Sequence, residues 1–279
     1  MSKFNSRVST FLIADDQETY SAQAMDGGSP TDESTEAQES TENDMTLLPG
    51  TPAEDDAYYF GSAALFAGVW LLIGTSGAGT WTVTWEYYDG DSWEPLTVSD
   101  ESVGFTAAAG YVLINFTVPS DWATVAVNSV TKYWIRGRVS DYTSVTTQPK
   151  GTQAWLVRDL SSFITECSGL PGERETLDTT TVGDSGREHE PNLENGMIRL
   201  AGFFDDTATR GPDAVLGELL THTSYVYFTY GPTGRTTTKI AYEGYAWVRR
   251  YEITTRVGEM VGWTAELEVN GQVTRTTYT

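Results

Sequence analysis

Lysine, cysteine and histidine are nearly missing from this chain, and each shortage removes a class of function. Four of its 279 residues are Lys (Lys3, Lys132, Lys150, Lys239), and 17 Lys plus Arg stand against 39 Asp plus Glu, a formal net charge of -22. Such a surface repels a polyphosphate backbone, which excludes nucleic-acid binding through phosphate neutralisation. The single cysteine, Cys167, excludes an intramolecular disulfide framework and a multi-cysteine zinc site, and reads as a small buried hydrophobe. No apolar run approaches the length of a membrane-spanning helix, so a soluble chain with room for two domains is expected. The opening MSKFNSRVSTFLIADD lacks a continuous apolar stretch and a small-residue cleavage site, and is not expected to act as a secretory signal. The acid-rich, Lys-poor composition matches proteins of salt-loving organisms, and a GC-rich genome that replaces Lys by Arg accounts for it equally well.

Catalytic groupings are equally scarce. TTTVGDSGREHEPNLENG, residues 179–196, holds Gly183, Asp184, Ser185 and Gly186, the letters that surround a trypsin-like nucleophile. That chemistry needs a histidine placed to take the serine proton, in the chain order His, Asp, Ser. Both histidines, His189 and His222, follow Ser185, and Arg187 stands where the motif needs another glycine. The stretch has the polar, turn-rich texture of a long loop rather than a nucleophile elbow. GTSGAGT at 74–80 has the glycines of a phosphate loop, but Thr80 replaces its lysine. Glu188, His189 and Glu190 alternate sides of the chain and do not converge on a metal. SPTDESTEAQESTEND lacks the Asp, Asn and Gly spacing of a calcium loop. The Asn115-Phe116-Thr117 sequon lies within a strand pattern. The reading is therefore a non-enzymatic protein with no catalytic residues, no cofactor and no metal.

The texture of the chain divides it. Residues 16–51 carry nine acids and no base among Ser, Thr, Gln, Gly and Pro, too few large apolar groups to offset ordering entropy, so a poorly structured acidic linker is expected. From 52 to 152 short period-two segments recur. Trp81, Val83, Trp85 and Tyr87 share one face, as do Val112, Ile114, Phe116 and Val118, and Tyr133, Ile135 and Val139, with VWLLIG at 69–74 as a further strand. Such strands with turns at Asp89-Gly90 and Pro119-Ser120 predict an inserted antiparallel β-sandwich.

Residues 153–279 predict a second sheet-rich domain with one helix. Ile198, Leu200 and Phe204 share a face, and a hairpin is expected around Gly231, Pro232 and Gly234. Ile240, Tyr242, Ala246 and Val248 alternate evenly, then Tyr251, Ile253 and Val257 take the opposite parity, which predicts a bulge or bend across Arg249 and Arg250. Trp263, Ala265, Leu267 and Val269 point inward before an expected Asn270-Gly271 turn. Gly211-Pro212-Asp213 starts the helix, in which Val215, Leu216, Leu219 and Leu220 share a face.

The run DLSSFITECSGLPGERETLDTTTVGDSGREHEPNLENGMIRLAGFFDD, residues 159–206, resembles the tail tube (major tail) proteins of long-tailed phages and related archaeal viruses. The likeness lies in Ser168 to Glu175, Leu177 to Gly186 and Pro191 to Gly202, and it continues through the Asp213 to Leu220 helix, Tyr230 to Gly234 and the segment beginning YEITTRVGEM. Val182 departs from it, standing where an aromatic is usual. SKFNSRVSTFLIADD is similar to the family's first strand, which normally runs directly into the segment matched here by DLSSF. The resemblance thus implies one mainly β, discontinuous tail-tube sandwich or barrel domain, residues 1–15 and 153–279, interrupted by the linker and the inserted sandwich.

What the resemblance implies for function is a structural subunit of a virion tail, assembled in the host cytoplasm. Its subunits form stacked rings, usually hexameric, around a lumen through which DNA passes without specific binding. Its partners would be further copies of itself and other tail proteins such as the tape measure and tail terminator, with no membrane insertion. The long loop Gly172 to Asn195 is implied to reach a neighbouring subunit or ring, with Gly172, Glu173, Arg174, Gly183, Asp184, Gly186, Arg187 and Leu193 as contact residues, and Gly183 and Gly186 permitting its turns. Residues 151–279 hold 18 acids and 11 bases, which suits a wall that exiting DNA does not adhere to. TWEYYDGDSWEPL is similar to a domain recurrent in viral tail and baseplate proteins and is expected on the tail exterior. Trp81, Trp85, Tyr87 and Trp93 there offer the alternative of a carbohydrate-binding or adhesin module, with core filling as the competing use of the alternating three.

Overall fold

The computed structural model describes residues 9–15, 20–182, 185–206, 211–223, 225–235 and 238–277, with the backbone alone at 174 and 191–195. It is mainly β, with antiparallel sheets, as the period-two segments predict. Two units emerge: Met1–Asp15 with Asp159–Thr279, and Asp16–Arg158. In chain order, the first unit begins with β1 (Thr10–Asp15). The second unit supplies β2 (Ser21–Asp26), β3 (Ser29–Asp32), α1 (Ser34–Gln38), β4 (Met45–Thr46), β5 (Ala57–Ser62), β6 (Gly68–Thr75) and β7 (Ala78–Tyr88). It continues with β8 (Trp93–Pro95), β9 (Val98–Asp100), β10 (Gly110–Phe116), β11 (Thr124–Val127), β12 (Val130–Thr147) and β13 (Lys150–Asp159). The first unit resumes with β14 (Ile164–Ser168), β15 (Glu173–Asp178), β16 (His189–Asn195), β17 (Met197–Phe203), α2 (Asp213–Gly217), β18 (Val226–Gly231), β19 (Ile240–Thr254) and β20 (Gly262–Thr277).

The second unit is a sandwich. One layer runs β3-β2-β5-β12-β7-β8 with β11 on β12, and the other runs β13-β6-β10-β9 with β4 on β13. Tyr58, Phe60, Trp85, Ile135 and Val139 from the first layer meet Val69, Leu71, Ile73, Ile114, Phe116, Ala154 and Leu156 from the second in one core. The alternation of β7 and β12 sends the remaining residues to the opposite face of their sheet. There Trp134, Tyr59, Ala57 and Val127 form a smaller cluster. The buried Glu86 carboxylate accepts from Arg136 Nε at 2.7 Å and Arg138 Nη2 at 2.8 Å on the same face. The Arg136 guanidinium lies 4.3 Å from the Trp93 ring centroid, so the cation is capped by an aromatic face as well as paired.

The acidic stretch is not a poorly structured linker. From Tyr20 it folds into β2, β3, α1 and β4, and Tyr20, Ala22, Ala37, Met45, Leu47 and Leu48 enter the sandwich core. Two of its carboxylates serve as hydrogen-bond acceptors that hold the segment together. Asp32 Oδ1 accepts from Gln23 Nε2, Ser34 N and Ser34 Oγ, and Glu33 Oε2 accepts from Thr46 N at 2.8 Å. The Tyr20 hydroxyl lies 2.7 Å from the carbonyl oxygens of both Ala37 and Ala154 and ties the segment to β13.

Burial of Glu33 raises its carboxyl above the ordinary value of 4.5, against the bonds from Thr46 and Tyr58, and Glu36 adds to the rise. A raised folded-state value means that the folded state holds the proton more tightly. This contribution to stability is therefore complete below pH 4.5 and is lost as pH rises through the folded value. Glu33→Gln is expected to flatten the pH dependence of Tm above pH 4.5. A thermal-melt series across pH in which wild type and variant run parallel would contradict this.

In the first unit the strand order is β14-β17-β20-β19-β18-β1, with β14 at an edge. One face of this sheet carries Phe11, Ile13, Ile198, Leu200, Phe228, Ala246, Val248, Trp263, Ala265 and Leu267 into a core closed by Val215, Leu216 and Leu219. The expected helix is present as α2, a π-helical turn that stays helical to Leu219, while Leu220 is exposed instead of joining the apolar face. The expected slip in β19 is a bulge. Val248 opposes Leu267 and Arg250 opposes Glu266, so Arg249 is the extra residue and both arginines point away from the core.

Two expectations fail nearby. Beyond the bulge Ile253 and Val257 are exposed, because the core that covers Tyr251 does not extend to them. Asn270-Gly271 is not a terminal turn. Tyr245 opposes Asn270 while Glu243 opposes Thr274, so β20 runs on through a second bulge with Gly271 at φ 82°.

Candidate assembly site

The loop expected to contact a neighbour is an arm built as a hairpin. β15 and β16 pair only with each other, with Glu173 opposite Asn195, Leu177 opposite Glu190 and Asp178 opposite His189. Gly169 at φ 92° and Gly172 at φ 120° form its root, conformations that a side chain disfavours. A Cβ on Gly169 would also fall 1.9 Å from the carbonyl oxygen of Met197. Beyond the root, every described side chain from 173 to 190 is exposed except the half-buried Thr179. The hydroxyl and amide of Thr180 hold the Asp178 carboxyl below its ordinary range, and Glu188 N donates back to Thr180 Oγ1 at 2.9 Å.

The expected contact residues are distributed along this arm. Gly172 is at the root, Glu173 and Arg174 lie in β15, Leu193 lies in β16, and Arg187 lies in the exposed connection. Gly183 and Asp184 are outside the described residues. Gly186 differs from the expectation. It has no positive φ, and a Cβ there would meet open space, so the turn does not need a glycine at that position.

Ser185 lies in the connection of the arm and is exposed. His222 Nδ1 lies 2.8 Å from Asp15 Oδ2. Among the described residues no three His, Cys, Asp or Glu side chains group to hold a metal, and no helix is long and apolar enough to cross a membrane. Burial pushes the Cys167 thiol up to about 12, so the group stays protonated at neutral pH.

The aromatics offered as the alternative, sugar stacking, are divided between the two faces of their sheet. Trp85 is 3% exposed, contacts Phe105 edge to face and donates its indole N–H to Asp100 Oδ2. Tyr87 packs on the same core and donates to Asp121. Trp93 lies on the opposite face, set edge-on against Tyr59 and Tyr88 and covered by Arg136. The three therefore form no common platform. Trp81 packs on the core beside Trp85, with its indole N–H donated to Gly104.

The face of the first unit's sheet that α2 leaves uncovered carries features the strand pattern alone did not single out. Tyr225, Tyr245 and Trp247 are exposed on it, with Tyr227 and Tyr245 directly opposite one another at 5.2 Å between ring centroids. A groove lined by Glu166, Ser168, Arg199, Arg250, Thr264 and Glu266 crosses β14, β17, β20 and β19. Consecutive arginines at the parity slip were the only signal of this face in the sequence.

No family model matches the chain, and no curated protein matches it. Among solved structures, the chain is similar to one in the tail of an empty gene transfer agent (GTA) particle with C6 symmetry, at 14% identity over 41% of this chain and 83% of that one, TM-score 0.34. It is similar also to one in the virion of a native GTA particle, at 15% identity over 41% of this chain and 85% of that one, TM-score 0.33.

Proposed function

We propose that the chain is a self-assembling structural subunit of a viral tail tube, formed by the split first unit, with the second unit as an insertion on the tail exterior. The observation that carries this reading is the arm. A lone two-stranded hairpin is at best marginally stable in water, yet this one extends for six and seven residues per strand, and its described side chains from 173 to 190 are exposed apart from the half-buried Thr179. A second copy of the chain supplies the missing contact. The β14 edge gives a further place for copies to join, since an unpaired strand edge is a template for pairing and closed rings remove it.

Stacked rings, with six subunits as the usual number for the family the sequence resembles, would enclose a lumen for exiting DNA. The acidic balance of residues 151–279 keeps that wall from binding the duplex. Tape measure and tail terminator proteins are the partners at the ends of such a tube, and the virion tail is its location. Sedimentation at low salt and in molar KCl tests the reading. Screening should shift a net charge of -22 per subunit towards fast-sedimenting assemblies. A slow monomer at every salt and protein concentration would contradict it.

A further inference from the structure

We infer that the exposed turn between β19 and β20 of one copy seats on the Tyr225, Tyr245 and Trp247 patch of a second copy. This rests on the self-assembly reading above and adds a contact in which the arm has no part. In the turn Val257 is fully exposed and Met260 is 70% exposed, and at its base Ile253, Val261 and Phe203 are exposed as well. Register holds these together, since Ile253 opposes Trp263 and Phe203 opposes Gly262 at the same end of the sheet. A Cβ on Gly258, at φ 86°, would meet nothing within 4 Å, so the tip stands clear of its own unit. Apolar groups exposed side by side in this way mark a contact surface.

The chemistry of the turn favours an aromatic partner. Besides its aliphatic groups it offers the Arg256 guanidinium and the Met260 thioether, both exposed and both attracted to aromatic rings. Residues 253–262 contain one base, Arg256, and one acid, Glu259, so this part of a chain of net charge -22 carries no net charge to repel another copy. The patch supplies the rings. Tyr227 and Tyr245 stand opposite one another, Trp247 lies two residues further along β19, and Tyr225 precedes β18. One copy cannot make the contact with itself. Seven residues of extended β19 separate Trp247 from Thr254, roughly 20 Å, and β20 pairs with the strand along that length. A contact between two different surfaces is heterologous, and its repetition from copy to copy closes a ring or runs on as a stack.

The test mixes two full-length proteins, both carrying Cys167→Ala, one with Thr255→Cys in the turn and the other with Asn270→Cys, which stands opposite Tyr245 beside the patch. Each chain then holds one thiol, so any product of a short bismaleimide joins two copies. A partner with Ser29→Cys, exposed in the second unit, replaces Thr255→Cys to measure random collision. A dimer of the Thr255→Cys and Asn270→Cys chains, enriched severalfold over that control, is expected. Val257→Asp with Met260→Asp is expected to lower the pelleted fraction on the order of tenfold. Trp247→Ala should act in the same direction, and Trp247→Phe should recover part of the loss. Both turn residues lie outside the core, circular dichroism checks that the double variant folds, and the cross-link does not depend on it. Wild type that assembles while the cross-link stays at the control level overturns the assigned contact and leaves self-assembly standing. Wild type that never assembles overturns both.

Discussion

Replacing residues 172–195 by a short Gly-Ser linker is expected to abolish self-association while leaving the first unit folded. The core of that unit is made by β1, β17 to β20 and α2, and no described side chain of β15 or β16 belongs to it. The arm's described side chains from 173 to 190 are exposed apart from Thr179, so removing them takes away almost no buried surface. The closure is local, because Gly172 and Gly196 sit close enough that a Cβ on Gly196 would lie 3.8 Å from the Gly172 Cα. Thermal melting should move by only a few degrees, about the effect of 1 kcal/mol, while particles vanish from the pelleted fraction. A large loss of Tm would show that the arm supports its own unit. Unchanged assembly would show that copies join without it.

Trp263→Ala is expected to cost about 3–5 kcal/mol, the range for removing a large aromatic side chain from a core. Trp263 is 1% exposed at the centre of the first unit's core, with the Tyr251 ring 6.1 Å away and its indole N–H donated to the Phe203 carbonyl at 3.1 Å. Truncation leaves a cavity and an unpaired carbonyl together, so the two losses add at one place. Denaturant unfolding followed by hydrogen exchange within β17 and β20 would locate the loss. A change under about 1 kcal/mol would mean that the site collapses around the smaller residue.

Sequence pattern made the strands legible wherever one face is buried and the other wet. The parity change at Arg249 and Arg250 marked a bulge to the residue, because a period of two leaves no other way to keep Val248 and Tyr251 on one face. The segment from Tyr20 to Leu48 was illegible for the opposite reason. Its buried residues are few, irregularly spaced and separated by acids that act as hydrogen-bond acceptors, so composition pointed to disorder while Met45, Leu47 and Leu48 were core. Asn270-Gly271 shows the limit of turn signals. The same dipeptide that closes a hairpin also fits a bulge, and only the pairing of β20 with β19 distinguishes the two.

The aromatic face of β7 could be read, with core filling as the better account of its alternation. Alternation placed Trp81, Val83, Trp85 and Tyr87 together, and the second layer of the sandwich decides that this face is core. On the opposite face Glu86 was an ordinary exposed acid until β12 set Arg136 and Arg138 beside it. The arm followed from its resemblance to a family, and its exposed hairpin geometry from the structure. The row of charged residues on the uncovered face needed the register of four strands, which no single stretch of sequence contains.

The central claim is that this chain builds a tube from copies of itself. Negative-stain microscopy of the purified full-length protein, at low salt and again in molar KCl, tests it most directly. The account predicts rings or stacked tubes with a central hole and peripheral knobs, more abundant when salt screens the acidic subunits. Single particles without a hole under both conditions, at protein concentrations well above those of the sedimentation test, would contradict it.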